Sequence, residues 1–115
     1  MLTDYSKLLV DKTDQQGVVE FTIKDEEFFN NDVKEVTLFY SIVGAARFKL
    51  FRNHKFELIL VHVTDDWMRQ AKVDVSPYKD QLDVKITWDD ATDTLSIRGL
   101  NESDFHTVQA MQIDN

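Results

Sequence analysis

The sequence predicts an α+β domain: an antiparallel sheet of five or six strands with two or three short helices, one of them C-terminal, in a single compact domain over residues 1–115. Three observations lead to this class. Apolar and polar residues alternate over 18–24, 56–63, 82–88 and 94–98, the period-2 pattern of strands. The intervening segments are short and polar, so hairpin neighbours dominate and no long strand–helix–strand crossover is required. Cap residues precede helix-length segments at 64–72 and 101–111. A small β-barrel or sandwich with a helical cap is the alternative arrangement.

In chain order, Thr3 or Asp4 caps a short helix through Val10, with Tyr5, Leu8 and Leu9 on its apolar side; a strand over 7–11 competes. Asp14-Gln15-Gln16-Gly17 is a turn, and the strand that follows puts Val19, Phe21 and Ile23 on one face. Residues 25–32 are polar apart from Phe28 and Phe29 and read as a loop or one helical turn. The 33–51 region fits two periods. Val36, Leu38, Tyr40 and Ile42 alternate with their neighbours as in a strand, whereas Phe29, Val33, Val36, Tyr40 and Val43 recur at helical spacing. β-Branched and aromatic residues dominate 36–43, which decides for a strand, with Gly44-Ala45 as a turn or bulge.

Residues 47–51 begin by alternating basic and apolar, and Asn53-His54 marks a turn. Residues 56–63 carry Phe56, Leu58, Leu60 and His62 on one face and Glu57, Ile59, Val61 and Val63 on the other. Apolar matter on both faces predicts a central strand covered on both sides. Thr64 caps a helix through about Lys72, with Asp65 and Asp66 in its first turn, where the helix dipole favours acids. Ser76-Pro77 reads as a second cap with proline at the first helical position. Residues 82–88 and 94–98 form a hairpin across the acidic loop 89–93. Asn101 or Ser103 caps a terminal helix bearing Phe105, Val108 and Met111.

Composition narrows the function classes. The chain has 13 Lys plus Arg against 21 Asp plus Glu, a formal charge of −8, and no cysteine. A disulfide scaffold or thiolate metal centre is therefore excluded. Three isolated glycines cannot form a phosphate-cradling loop. The serines lie in no glycine-flanked nucleophile elbow. His54, His62 and His106 show no three- or four-residue ligand spacing, and the acidic loop lacks the glycine and distant Glu of a calcium loop. No catalytic, cofactor-binding or metal-binding residue is assigned. No apolar leader and no membrane-length apolar stretch is read, so a cytoplasmic location is expected.

The charge is uneven. Arg47, Lys49, Arg52 and Lys55 fall in nine residues that hold no acid, with Phe48 and Phe51 between them. They can receive an anionic partner or pair with the chain's own acids across neighbouring strands. Asp89, Asp90 and Asp93 crowd the hairpin loop, and Trp67 and Trp88 each adjoin an Asp pair, as interface anchors or as ordinary core residues. These features predict a small acidic noncatalytic protein-interaction or regulatory module. Alternatives are an acidic inhibitor or nucleic-acid mimic that occupies a basic site on its partner, and a small ligand-binding protein or enzyme. The expected partner is another protein; direct nucleic-acid binding is disfavoured by charge, no membrane is involved, and a strand edge offers a homodimer contact.

Overall fold

A computed structural model describes residues 3–113. Its strands are β1 (Gly17–Ile23), β2 (Val36–Val43), β3 (Ala46–Arg52), β4 (Glu57–Val63), β5 (Met68–Asp74), β6 (Leu82–Trp88), β7 (Asp93–Gly99), β8 (His106–Gln109) and β9 (Met111–Ile113). The helical elements among the described residues are a 3₁₀ turn, Ser6–Leu9, and a five-residue helix, α1 (Glu26–Asn30). The strands form two antiparallel sheets, ordered β1-β6-β7-β8 and β2-β3-β4-β5-β9. Alternation turns one side of each sheet inward, and the two inner sides share one apolar core including Ile23, Phe48, Leu60, Val84 and Ile97.

The α+β expectation is therefore corrected to an all-β arrangement, and the reasons are local. At 64–72 the cap signal serves a turn. Thr64 Oγ1 accepts from the N–H groups of Asp66 (3.2 Å) and Trp67 (3.3 Å), while Thr64 N–H donates to the Trp67 carbonyl (2.9 Å). The chain reverses there and runs back as β5, with Arg69 and Ala71 turned inward. At 101–111 the expected helix is replaced by a loop and β8. Glu102 folds back to accept from Gly99 N–H (2.7 Å), Tyr78 hydroxyl (2.8 Å) and His106 Nε2. Ser76-Pro77 likewise starts only a turn, closed by Tyr78 N–H on the Val75 carbonyl (3.1 Å). Short Ser, Thr and Asp side chains satisfy turns as well as helix starts, so cap residues alone do not separate the two.

Two features close the sandwich at its sides. β8 and β9 are separated by Ala110 alone, whose N–H donates to the Asp93 carbonyl (2.8 Å), so the chain steps from one sheet to the other. On the opposite side, Tyr5 bridges the two edge strands. Its ring packs on Phe21 of β1 (centroids 4.6 Å apart), and its N–H donates to the Leu38 carbonyl of β2 (3.2 Å). Leu38 is the extra residue of a bulge: Thr37 pairs with Phe51 and Phe39 with Leu50. The bulge lets Leu38 and Phe39 both enter the core. In the β2–β3 turn Gly44 has φ +58°, and a Cβ there would lie 2.7 Å from the Asp14 carboxyl carbon, so glycine is required twice over.

One further expectation fails, with consequences for function. β4 is central in its sheet, but only its Leu58, Leu60 and His62 face is covered by the other sheet. Among the described residues no element packs over Val61 and Val63, which remain partly exposed, although Ile59 on the same face is buried.

Candidate functional site: the open face of the five-stranded sheet

The strand register arranges the uncovered side of β2-β3-β4-β5-β9 as rows. One row runs Ile42, Arg47, Val63, Met68, Ile113. The next runs Tyr40, Lys49, Val61, Gln70, Met111. A third carries Phe51, Ile59 and Lys72. Tyr40 is 58% exposed, Ile42 70% and Met111 74%, high values for side chains of this size on a sheet. Between the rows lies a shallow cleft of about 370 Å³, walled by Tyr40, Arg47, Lys49, Phe51, Val61 and Met68. Exposed apolar side chains gathered on one face, here divided by Arg47 and Lys49, are the usual mark of an interaction surface.

Arg47 and Lys49 are the charged residues of the first two rows, and Glu57 and Asp74 pair in register at the far end of the same face. Lys49 makes an exposed ion pair with Glu35 (3.1 Å) and lies over the Phe51 ring (4.5 Å). Lys72 pairs with Glu57 (3.4 Å), whose carboxyl is held below the ordinary carboxylate range mainly by the Asn53 side chain. Arg47 has no carboxylate within ion-pair distance among the described residues, although Asp65 and Asp66 sit on the turn after Val63.

The outer side of the other sheet is different in kind. Thr87 and Thr94 hydroxyls bond each other, Ser96 bonds Thr107 (2.8 Å), and Thr22 donates to Asp83 (2.7 Å). Arg98 bridges to Asp83 at 2.9 Å and lies 4.3 Å over the Phe105 ring. The Thr22 hydroxyl and then Arg98 hold the Asp83 carboxyl below its ordinary value. That surface is mostly polar and self-bonded, with Val18 as an exposed apolar side chain among the hydroxyls.

The structure separates the four cations of the sequence strip. Arg47 and Lys49 stand on the open face, and Lys55 is exposed in the β3–β4 turn. Arg52 points the other way and is fully buried. Its guanidinium donates to the carbonyls of Asn53 (2.7 Å), Glu27 (3.4 Å) and Asn31, and lies 4.3 Å over the Phe56 ring. Burial pushes its pKa down, opposed by the attraction of Asp32 and Glu27. Arg52 thus caps the carbonyl end of α1, where a cation complements the helix dipole. Phe56, left-handed at φ 59°, sets its ring against Arg52.

The acidic loop also divides. Asp93 is buried and joins the sheets: His62 Nδ1 of β4 lies 2.9 Å from its Oδ2, and Arg69 Nη1 of β5 donates to its Oδ1 (3.2 Å). Arg69 also donates to the Asp89 (3.1 Å) and Asp90 (2.6 Å) carbonyls and stacks 3.8 Å from the Trp67 ring centre. Phe48 lies parallel to the His62 ring at 4.0 Å and Trp67 meets it edge-on at 4.7 Å. A carboxylate-oriented imidazole is a general-base geometry, but here aromatic rings enclose it and, among the described residues, no hydroxyl reaches Nε2. Asp89 and Asp90 side chains remain exposed, and Asp89 accepts from the Ala91 and Thr92 N–H groups of the turn (both 2.8 Å). Trp88 is buried, with its indole N–H on the Thr13 carbonyl (2.9 Å), and Gly17 leaves space for its ring: a Cβ there would come within 2.2 Å. Of the other histidines, His54 is in an exposed turn and His106 bonds Glu102; among the described residues no three metal-ligating side chains converge.

Sequence reasoning missed Tyr40, Ile42, Met111 and Ile113 as surface residues and Arg69 as a core residue. The signal for the first group was present in the two-sided apolar alternation of 56–63, which was assigned a cover on each side. The chain thus has the frame of a two-sheet antiparallel sandwich with one mostly polar outer face and one that mixes exposed apolar and charged side chains. No family model matches it, nor does any curated protein or solved structure. Among the described residues no helix is long and apolar enough to cross a membrane.

Proposed function

We propose that the chain is a small protein-interaction module that docks a partner protein on the open face of its five-stranded sheet. The observation that carries this reading is the contrast between the two outer faces. One is mostly a polar surface whose hydroxyls and charges bond each other; the other exposes Tyr40, Ile42 and Met111 and holds a cleft lined by Tyr40, Phe51, Val61 and Met68 beside Arg47 and Lys49. Leaving large apolar side chains in water costs roughly 25 cal/mol per Å², and covering them recovers that cost. The buried His62–Asp93–Arg69 cluster supports the reading indirectly, because it ties both sheets and the β6–β7 loop into one rigid platform.

The test is site-specific photocrosslinking in the source cell. A crosslinking residue at Tyr40 should trap a discrete protein, one at Thr107 on the opposite sheet should not, and Ile42→Asp with Met111→Asp should abolish the Tyr40 product. Equal products from Tyr40 and Thr107, or a Tyr40 product untouched by the double substitution, would refute the assignment.

A further inference from the structure

The chemistry of the open face restricts what can lie on it. Arg47 and Lys49 are two residues apart on β3, so their side chains leave the sheet about 6.8 Å apart. They form a cationic stripe between apolar walls, Tyr40 and Ile42 on β2 and Val61 and Val63 on β4. From β2 to β4 is two strand spacings, about 9.6 Å. That width matches one α-helix, about 10 Å across, and the 6.0 Å rise over four helical residues is close to the spacing of the two cations. An extended peptide on a sheet face would leave its own backbone N–H and C=O groups without partners, whereas a helix satisfies its own. Charge selects the sign: the two rows that hold Arg47 and Lys49 contain no acid, whereas Lys72, further along the face, is answered by Glu57.

Resting on the docking assignment above, we infer that the partner element is an acidic amphipathic helix of another protein, with carboxylates at i and i+4 over Arg47 and Lys49 and apolar side chains against the β2 and β4 walls. Glu35 occupies Lys49 in the free protein through an exposed pair, the kind that exchanges at little cost.

The probe is a synthetic alanine-rich helical peptide with Glu at i and i+4 and leucines flanking them, titrated into the ¹⁵N-labelled protein. Amide shifts should concentrate at Ile42, Arg47, Lys49 and Val61. Replacing both peptide Glu residues by Gln should weaken binding about tenfold, the effect of two partly exposed charge pairs. In the Arg47→Gln/Lys49→Gln protein the Glu and Gln peptides should bind alike. Equal affinity of the two peptides for the native protein overturns the acidic-partner inference while leaving the docking face intact. Equal binding by a proline-broken peptide overturns the helix. A concentration-dependent dimer that buries this face assigns it to a second copy and overturns both specifics. No shift at millimolar Glu peptide overturns the inference, and the photocrosslinking result then decides whether the docking assignment falls with it.

Discussion

Replacing Asp93 by alanine should be among the most damaging single substitutions in this chain. Asp93 is fully buried and is, among the described residues, the only carboxylate in ion-pair contact with Arg69, whose exposure is 7%, as well as the partner of His62 Nδ1. In Asp93→Ala, Arg69 keeps only the Asp89 and Asp90 carbonyls and the Trp67 ring. Removing one member of a buried charge pair costs about 3–5 kcal/mol, because the other is left without compensation. A 115-residue domain has roughly 6–17 kcal/mol of total stability, so the loss is a large share of it. At a urea dependence of about 1.5 kcal/mol per molar, the midpoint should fall by roughly 2 M or more. Equilibrium unfolding followed by tryptophan fluorescence reads this directly, since Trp67 contacts His62 and Arg69 and Trp88 packs on Phe48. The triple variant His62→Leu/Arg69→Met/Asp93→Leu removes all three polar groups together and should recover most of the loss. A midpoint shift below about 0.5 M in Asp93→Ala, with unchanged slope, would refute the charge argument. So would a triple variant no more stable than the single one.

Arg52→Met should lower stability by about 1–3 kcal/mol, since charged hydrogen bonds to three carbonyls are lost while the Phe28 and Phe56 packing is kept. Amide exchange should accelerate selectively over 26–31, and uniform or unchanged exchange would show that Arg52 does not hold α1. Glu102 is drawn down to about 2 by His106, then by the Gly99 N–H and the Tyr78 hydroxyl. A carboxyl lowered on folding stabilises above its ordinary value of 4.5, and that contribution is lost as pH falls from 4.5 through about 2. Protection of the Gly99 amide should therefore fade across that interval in the native chain but not in Glu102→Gln; parallel curves would exclude Glu102 as the cause.

The strands were legible where one side chain period had one meaning. The stretches that became β1, β2, β4, β6 and β7 announce themselves by alternation and β-branched content, and the antiparallel hairpin between β6 and β7 follows from its polar loop. The error lay in Thr64, Ser76 and Asn101, where polar side chains near a chain reversal were given to helices. β5 carries Arg69, Gln70 and Lys72, a composition without strand character, and pairing with β4 fixes it in place regardless. Its inward arginine is unreadable without the carboxylate that faces it from β7, 24 residues away. The same holds for the site. Arg47 and Lys49 could be singled out by charge, but Arg52 shares their spacing pattern only in part. Three residues on from Lys49 along β3, it falls on the opposite side of the strand. What sets Tyr40, Ile42 and Met111 on one face is register across five strands, which no local pattern encodes.

The kink at Leu38 bears on how this molecule meets others. β2 is the outermost strand of its sheet, a template on which a foreign strand would ordinarily extend the ladder and a further one extend that. Here the rhythm of available carbonyls breaks at the inserted residue, and Tyr5 already occupies the one it presents. Growth along that border is discouraged, so contacts fall to the broad surface beside it, where one guest fills the space and adds no new border for a second. At that border the fold sets a sticky plane beside an edge that offers no seed for fibres.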